Sequence, residues 1–330
     1  MTTTCDRYKE KTPADPRCIH SGRDLLTCNL PSKFACEING GKMKMSVSQL
    51  KTWNDCRFKW FLSYVRRIEQ KPHYHSQPML MGSLWDAMQE WRYTGKAVDE
   101  ADKRYMSEAS VAKVEAMDRA FGEAIDTDAM TCGKSPACQL RVSEIMESGS
   151  GPFIMRGYMD RSEIARNVND RLAFSEAKFV SRPDRYRNVL DIKNQIGSYF
   201  LLSPQHHVAM MEVTRAPGLQ QGKSESAKEF GQRIYNDATN RPGHYFIGYN
   251  KKTRAFGKIY RRAEFGLDFL RRRIIAQVNH IKFSLAHGDE TIFDQNTRSC
   301  FMGSYACEFY DVCTGGVISE EEYQVKEERD

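Results

Sequence analysis

The sequence has no apolar run near the ~20 residues that a bilayer-spanning helix needs. Its start, Met1-Thr2-Thr3-Thr4-Cys5-Asp6, carries no basic-then-apolar leader pattern. A cytoplasmic protein with no membrane partner is therefore expected. No internal repeat is evident, no H-E-x-x-H stretch occurs, and no Ser-His-Asp arrangement stands out. A phosphate loop is missed by one residue. Gly218-Leu219-Gln220-Gln221-Gly222-Lys223-Ser224 has three residues between its glycines where a Walker loop has four, and Pro217 stands where the first Gly would be. The stretch reads instead as a flexible loop leading into a helix over 225–239.

What is present fits a soluble globular chain. Of 330 residues, 40% are hydrophobic and 28% charged, enough for one large domain or two small ones. The net charge of +6 leans mildly towards a polyanionic partner. Ten cysteines are many for a reducing compartment, where disulfides rarely persist, so metal binding is the better default. They fall into three groups: Cys5, Cys18, Cys28 and Cys36; Cys56, Cys132 and Cys138; and Cys300, Cys307 and Cys313.

Residues 1–43 are broken by Pro13, Pro16, Pro31, Gly22, Gly40 and Gly41 and read as an irregular extension. Its four cysteines suffice in number for a tetrahedral Zn2+ site, but no pair has the tight spacing of a zinc knuckle, and ordinary reduced thiols are the competing reading. A helix is expected over 46–67, with Leu50, Trp53, Trp60, Phe61 and Tyr64 at helical spacing and Arg57, Lys59, Arg66 and Arg67 giving it a basic side. Those aromatics suit a core first and a base-stacking surface second. A second helix is expected over 79–92, with Gly82 near its start allowing close packing and Asp86 off the apolar stripe. An alanine-rich helix over 99–126 and a loop over 131–136 follow. Strands are expected over 152–160 and 171–180, then a helix over 186–202, a strand over 207–214, a hairpin of 244–249 with 256–260, and a helix over 263–287 carrying Arg271, Arg272 and Arg273. The acidic tail reads as disordered.

The chemistry centres on Gly157-Tyr158-Met159-Asp160 and Phe174-Ser175-Glu176-Ala177-Lys178. In a strand, residues i and i+2 share a face, so Glu176 and Lys178 point the same way. Asp160 joined to that pair offers two carboxylates for a divalent metal and a cation for a polarised water or a phosphate. That is equipment for metal-assisted phosphodiester hydrolysis. Gln195 and Tyr199, at i and i+4 on the following helix, share one face.

In this order the features resemble the PD-(D/E)xK nuclease superfamily, and within it the RecB-like branch with an iron–sulfur cluster, which includes the CRISPR-adaptation exonucleases. Ser46-Val47-Ser48-Gln49-Leu50, followed by Cys56-Arg57-Phe58, is similar to the opening of that branch. The resemblance implies an α/β fold, a restriction-endonuclease-like core with a mixed central sheet flanked by helices. It implies Mg2+ or Mn2+ held by Asp160, Glu176 and the carbonyl of Ala177. Lys178 would act on the attacking water, and Gln195 and Tyr199 on the DNA backbone or that water. Cys56, Cys300, Cys307 and Cys313 would hold a [4Fe–4S] cluster joining the two ends of the core, with Zn2+ on the same cysteines as the alternative. Asp86 stands where the family commonly has a metal-ligating His, in Gly82-Ser83-Leu84-Trp85-Asp86. The implied organisation is an extension over 1–43, a nuclease core over 44–290, a cysteine segment over 291–318 and a tail over 319–330.

The expected function is a metal-dependent DNA exonuclease acting on single strands or duplex ends in recombination, repair or phage and mobile-element DNA processing. With no motor encoded, a helicase or recombinase partner would supply the substrate. Two other readings compete: a catalytically weak or inactive DNA-binding module of the same fold, and a zinc-stabilised interaction protein.

Overall fold

The computed structural model describes residues 43–127, 131–165, 169, 171–186, 190–287, 293–302, 305–315 and 318–326. The extension with Cys5, Cys18, Cys28 and Cys36, and with it the expected zinc site, lies outside them.

The chain runs β1 (Met43–Ser46), α1 (Val47–Asp55), α2 (Arg57–Trp60), β2 (Ile68–Gln70), α3 (Gln77–Thr94), α4 (Glu108–Ala124), β3 (Thr131–Met146), β4 (Phe153–Ala165) and β5 (Arg171–Val180). It continues through α5 (Leu190–Leu202), β6 (Val208–Arg215), α6 (Ala227–Asn240), α7 (Pro242–Tyr245), β7 (Lys258–Arg261), α8 (Leu267–His287), β8 (Phe301–Met302), β9 (Tyr305–Ala306), α9 (Tyr310–Gly315) and β10 (Tyr323–Val325). The main sheet is mixed, with order β1-β4-β5-β6-β7 and β3 also on β4. β1 and β4 are parallel, β4 and β5 antiparallel, β5 and β6 parallel, and β6 and β7 antiparallel. An α/β architecture with helices around a mixed central sheet is thus as expected. No helix among the described residues is long and apolar enough to cross a membrane.

The chain divides into two compact units. One comprises Met1–Tyr74, Ser143–Arg156 and Arg271–Asp330. Its core is aromatic. Trp53 meets Trp60 edge-on at 5.2 Å, and Phe61 stacks on Phe293 at 4.6 Å. Both tryptophans are buried, so they serve the core and are closed to a stacking base. The single helix expected over 46–67 is interrupted. Ser46 and Gln49 form a capping box that starts α1, but Cys56 is extended and α2 begins after it. A π-helical turn, Phe61–Val65, follows. The break turns the Cys56 thiol onto the Lys59 N–H, which would otherwise be an orphan donor at a helix start. The acidic tail is partly ordered, against expectation. β10 pairs antiparallel with β2, and Tyr323 is buried, stacking on Phe309 at 5.8 Å.

The other unit comprises His75–Val142 and Gly157–Leu270. Its main core joins Leu84 and Trp85 of α3, Val114, Met117 and Phe121 of α4, Phe179 of β5, and Phe230 and Ile234 of α6. Each such buried side chain contributes about 1.5–3 kcal/mol. β6 is buried along nearly its whole length, as a central strand covered on both faces must be. Four expectations need correction here. The helix over 99–126 starts only at Glu108, where Ser107 caps it. Residues 131–136 belong to β3, not to a loop. The hairpin of 244–249 with 256–260 is cut short: across the 250–253 turn only the Asn250↔Ala255 bridge and the bond from Gly257 N–H to Ile247 O join the two arms, Pro242 starts the short α7, and β7 pairs with the edge of β6. Gly82 has no neighbour within 4 Å of a Cβ, so it serves no close packing. The near-miss phosphate loop stays an exposed loop whose Gly222 N–H donates to its own Glu225 at 2.8 Å.

Candidate active site

β4 and β5 pair from Ala165↔Arg171 to Arg161↔Ser175. Beyond Arg161 the register is no longer kept, and a side chain takes over. The Ala177 N–H donates to Asp160 Oδ2 at 2.8 Å. This bond fixes one carboxylate oxygen of Asp160 beside the backbone of β5.

Glu176 and Lys178 share a face of β5, and α5 packs over it. Glu176 is buried at 2% exposure. Its Oε1 accepts from Lys178 Nζ and, at 2.6 Å, from Gln195 Nε2. Its Oε2 is buried and has no hydrogen-bond partner. Gln195 also donates to Tyr199 Oη at 3.1 Å. The i, i+4 spacing on α5 thus delivers Gln195 and Tyr199 together onto Glu176. Phe174 holds the Tyr199 ring edge-on at 5.6 Å.

The electrostatics follow from this packing. Burial, reinforced by the charge of Asp160, raises the Glu176 carboxyl well above the usual carboxylate range, against the pull of Lys178. Burial works against the Lys178 ammonium, but Glu176 and Asp160 outweigh it and hold its pKa above the ordinary lysine value. Burial and the charge of Glu176 keep the Tyr199 phenol protonated. Asp86 stands on α3 in a recess bounded by Asp160, Ala177, Cys138 and Gln139. The protein around it, then the charge of Asp160, push its carboxyl up to about 7, against Lys178. Its side chain is nevertheless solvent-exposed, so the upward direction rests most firmly on Asp160. The recess holds about 20 Å3, room for one water-sized sphere.

The donor set suits a hard cation. An orphaned buried carboxylate oxygen on Glu176 is a costly feature without a partner, and Mg2+ is commonly held by one or two carboxylates with several waters retained. Among the described residues no group of three His, Cys, Asp or Glu side chains converges on one point that would hold a metal ion. Asp160 and Glu176 are therefore the pair to consider, with Asp86 alongside.

Sequence reading missed the polar layer on the other face of the sheet. Arg161, next to Asp160, is buried and pairs with Glu212, lies 3.6 Å from Glu163 and covers the Tyr93 ring at 4.1 Å. Ser175 donates to Glu163. Burial raises the Glu212 carboxyl against the pull of Arg161. The available signal was period two: Arg161, Glu163, Ser175 and Glu212 alternate with the site residues. Cys138 and Gln139 were also missed as lining, because 131–136 reads as a loop and no strand is expected before 152.

In the other unit Cys56, Cys300, Cys307 and Cys313 are free thiols. They lie near enough to influence one another. Burial, then Cys307, Cys56 and Cys300, push the Cys313 thiol up to about 11. Backbone N–H groups point at sulfur: Lys59 N to Cys56 at 3.4 Å, Asn296 N to Cys56 at 3.5 Å, and Phe309 N to Cys307.

The sequence profile of the PD-(D/E)XK nuclease superfamily matches residues 44–314. No curated protein matches the chain. The crystal structure of SSO0001 is similar over 59% of this chain and 84% of its own, at 14% identity and a TM-score of 0.23, a likeness that carries no argument.

Proposed function

We propose, since this chain belongs to the PD-(D/E)XK nuclease superfamily, that it is a metal-dependent DNA exonuclease of the RecB-like branch, acting on single strands or duplex ends. The observation that carries the reading is Glu176: a buried carboxylate with Lys178 and Gln195 on one oxygen and nothing on the other. Asp160 and Glu176 would hold Mg2+ or Mn2+, with the Ala177 carbonyl and Asp86 beside them. A divalent cation there supplies Lewis-acid polarisation of the phosphoryl oxygen and a more acidic water.

The chain's own groups do the rest. Lys178 stays an ammonium, orients the attacking water and offsets charge that develops on the phosphoryl oxygens. Gln195 fixes the Glu176 carboxylate and hands its second hydrogen-bond relation to Tyr199. The Tyr199 phenol remains a donor for a phosphate oxygen or the water. Asp160, pinned by the Ala177 N–H, keeps its place when substrate enters.

Cys56, Cys300, Cys307 and Cys313 are our candidates for a [4Fe–4S] cluster with a structural role, tying together segments far apart in sequence. The electrostatic influence of Cys307, Cys56 and Cys300 on Cys313 and the N–H groups directed at the Cys56 sulfur support this reading. A helicase or recombinase partner would deliver the strand.

The test uses protein purified without oxygen and end-labelled single- and double-stranded DNA with Mg2+ or Mn2+. Cleavage from ends is expected, and Lys178→Ala is expected to lose about 100-fold or more, the scale of removing one preorganised transition-state group. Equal cleavage by both proteins would sink the nuclease reading, and DNA binding without cleavage by either identifies an inactive binding module. Absorbance near ~400 nm that is lost in Cys307→Ser supports the cluster. Stoichiometric zinc without that band refutes it.

A further inference from the structure

At the end of the sheet where β5 begins, three strands are locked side by side. His207 N donates to Leu172 O at 3.2 Å, and Arg262 N donates to His207 O at 2.9 Å. A groove of about 560 Å3 opens there, lined by Arg171, His207, Arg261, Arg262, Asp268 and Phe269 among others. Arg171 precedes Glu176 by five positions on β5, about 16 Å along an extended strand. The groove is thus separate from the carboxylate pair.

Its chemistry is one-sided. Three arginines face one aspartate, and Arg171, Arg261 and His207 are exposed. Arg262 is partly committed, since its guanidinium donates to Phe200 O and lies 5.9 Å from the Phe200 ring. Arg171 and Arg261 are then the guanidinium groups open to a ligand. Phe269 is 65% exposed on the first turn of α8, a large apolar ring left in water beside them. Guanidinium groups along a groove with an aromatic face beside them are what a single-stranded nucleic acid needs: charge for its phosphates and a plane for an unpaired base. A duplex hides its base faces and gains nothing from Phe269.

We propose that this groove binds a single-stranded segment of nucleic acid, with phosphates on Arg171 and Arg261 and a base stacked on Phe269. The assignment deepens the nuclease reading by making single strands the substrate class, and its test does not depend on cleavage. The full chain is titrated into a fluorescent oligothymidine of about twelve nucleotides in EDTA, and anisotropy is followed at several salt concentrations. The double variant Arg171→Glu/Arg261→Glu should bind at least about tenfold more weakly and lose roughly 1.4 from the slope of log affinity against log salt, near 0.7 for each lost phosphate contact. Phe269→Ala should weaken binding about fivefold or more with the salt slope unchanged. Thermal melting of each variant should match the parent, since all three positions are exposed. Unchanged anisotropy in both variants overturns the proposal. So does displacement of the oligonucleotide by poly-glutamate as readily as by unlabelled oligothymidine, because that would mark a general anion patch. If Lys178→Ala cleaves DNA as the parent does, the nuclease reading fails and the groove is judged by anisotropy alone.

Discussion

Gly157 lies directly beneath the ring of Tyr199: a Cβ on Gly157 would stand 2.6 Å from Tyr199 Cε1 and 2.9 Å from Cδ1. The ring cannot yield freely. It is 5% exposed, wedged against Phe174, with its hydroxyl on Gln195. The first residue of the Gly157-to-Asp160 motif is thus a glycine so that α5 can bring its phenol down onto β4. Gly157→Ala is expected to cost about 1–3 kcal/mol, the range for overpacking a filled site. In a Tyr199→Leu background the cost should shrink, because the clashing ring is gone. Additive losses of melting temperature in the double variant would contradict this.

Glu176→Gln keeps the shape and the Gln195 contact but removes the charge behind the unpartnered Oε2. Calorimetric titration of Mg2+ into EDTA-treated, dialysed protein should show affinity weakened by at least about tenfold, or no measurable binding. A titration identical to the parent's would mean that Glu176 does not hold the cation.

His206 is buried between Ser203 at Nδ1, 2.6 Å, and Ser162 at Nε2, 2.7 Å. Burial, with a smaller contribution from His207, depresses its pKa to about 4. The unfolded chain takes up this proton near pH ~6.5 while the folded chain refuses it down to about 4. Stability from this residue is therefore intact above pH ~6.5 and falls as pH drops towards ~4, by up to about 1.4 kcal/mol per pH unit. Denaturant melts across that window should show His206→Gln with a flatter pH dependence than the parent; parallel curves would count against the assignment.

The buried pair of Arg161 and Glu212 predicts an asymmetry. Glu212→Leu leaves a buried guanidinium with less compensation and should cost about 3–5 kcal/mol. Arg161→Met with Glu212→Leu removes both charges and should recover a good part of that loss. Chemical denaturation of the two variants decides it: a double variant no more stable than Glu212→Leu alone would show that the ion pair is not the relevant unit.

Much of the site was legible because its determinants are local. Period two places Glu176 and Lys178 on one face, and period 3.6 places Gln195 and Tyr199 on one stripe; both needed only the element type to be right. Residues that act across elements were not legible. Asp86 entered only through the family resemblance, and its nearness to Asp160 depends on how α3 meets β4 and β5. Cys138 and Gln139 reach the recess only because β3 extends through a stretch whose Gly133 and Pro136 read as a loop. The hairpin expected over 244–260 shrank to the Asn250↔Ala255 bridge because β7 pairs with the edge of β6 and not with its sequence neighbour.

The sequence by itself determined the strand that bears the carboxylate and the lysine and the helix stripe that bears Gln195 and Tyr199, since these rest on backbone period. Only the tertiary structure decided which oxygen of Glu176 is bound and which is left open, because that depends on where α5 lands on β5. It alone put Arg171, Arg261 and Phe269 around one groove. Those neighbours are distant in the chain, and strand register and packing, not local propensity, set their spacing.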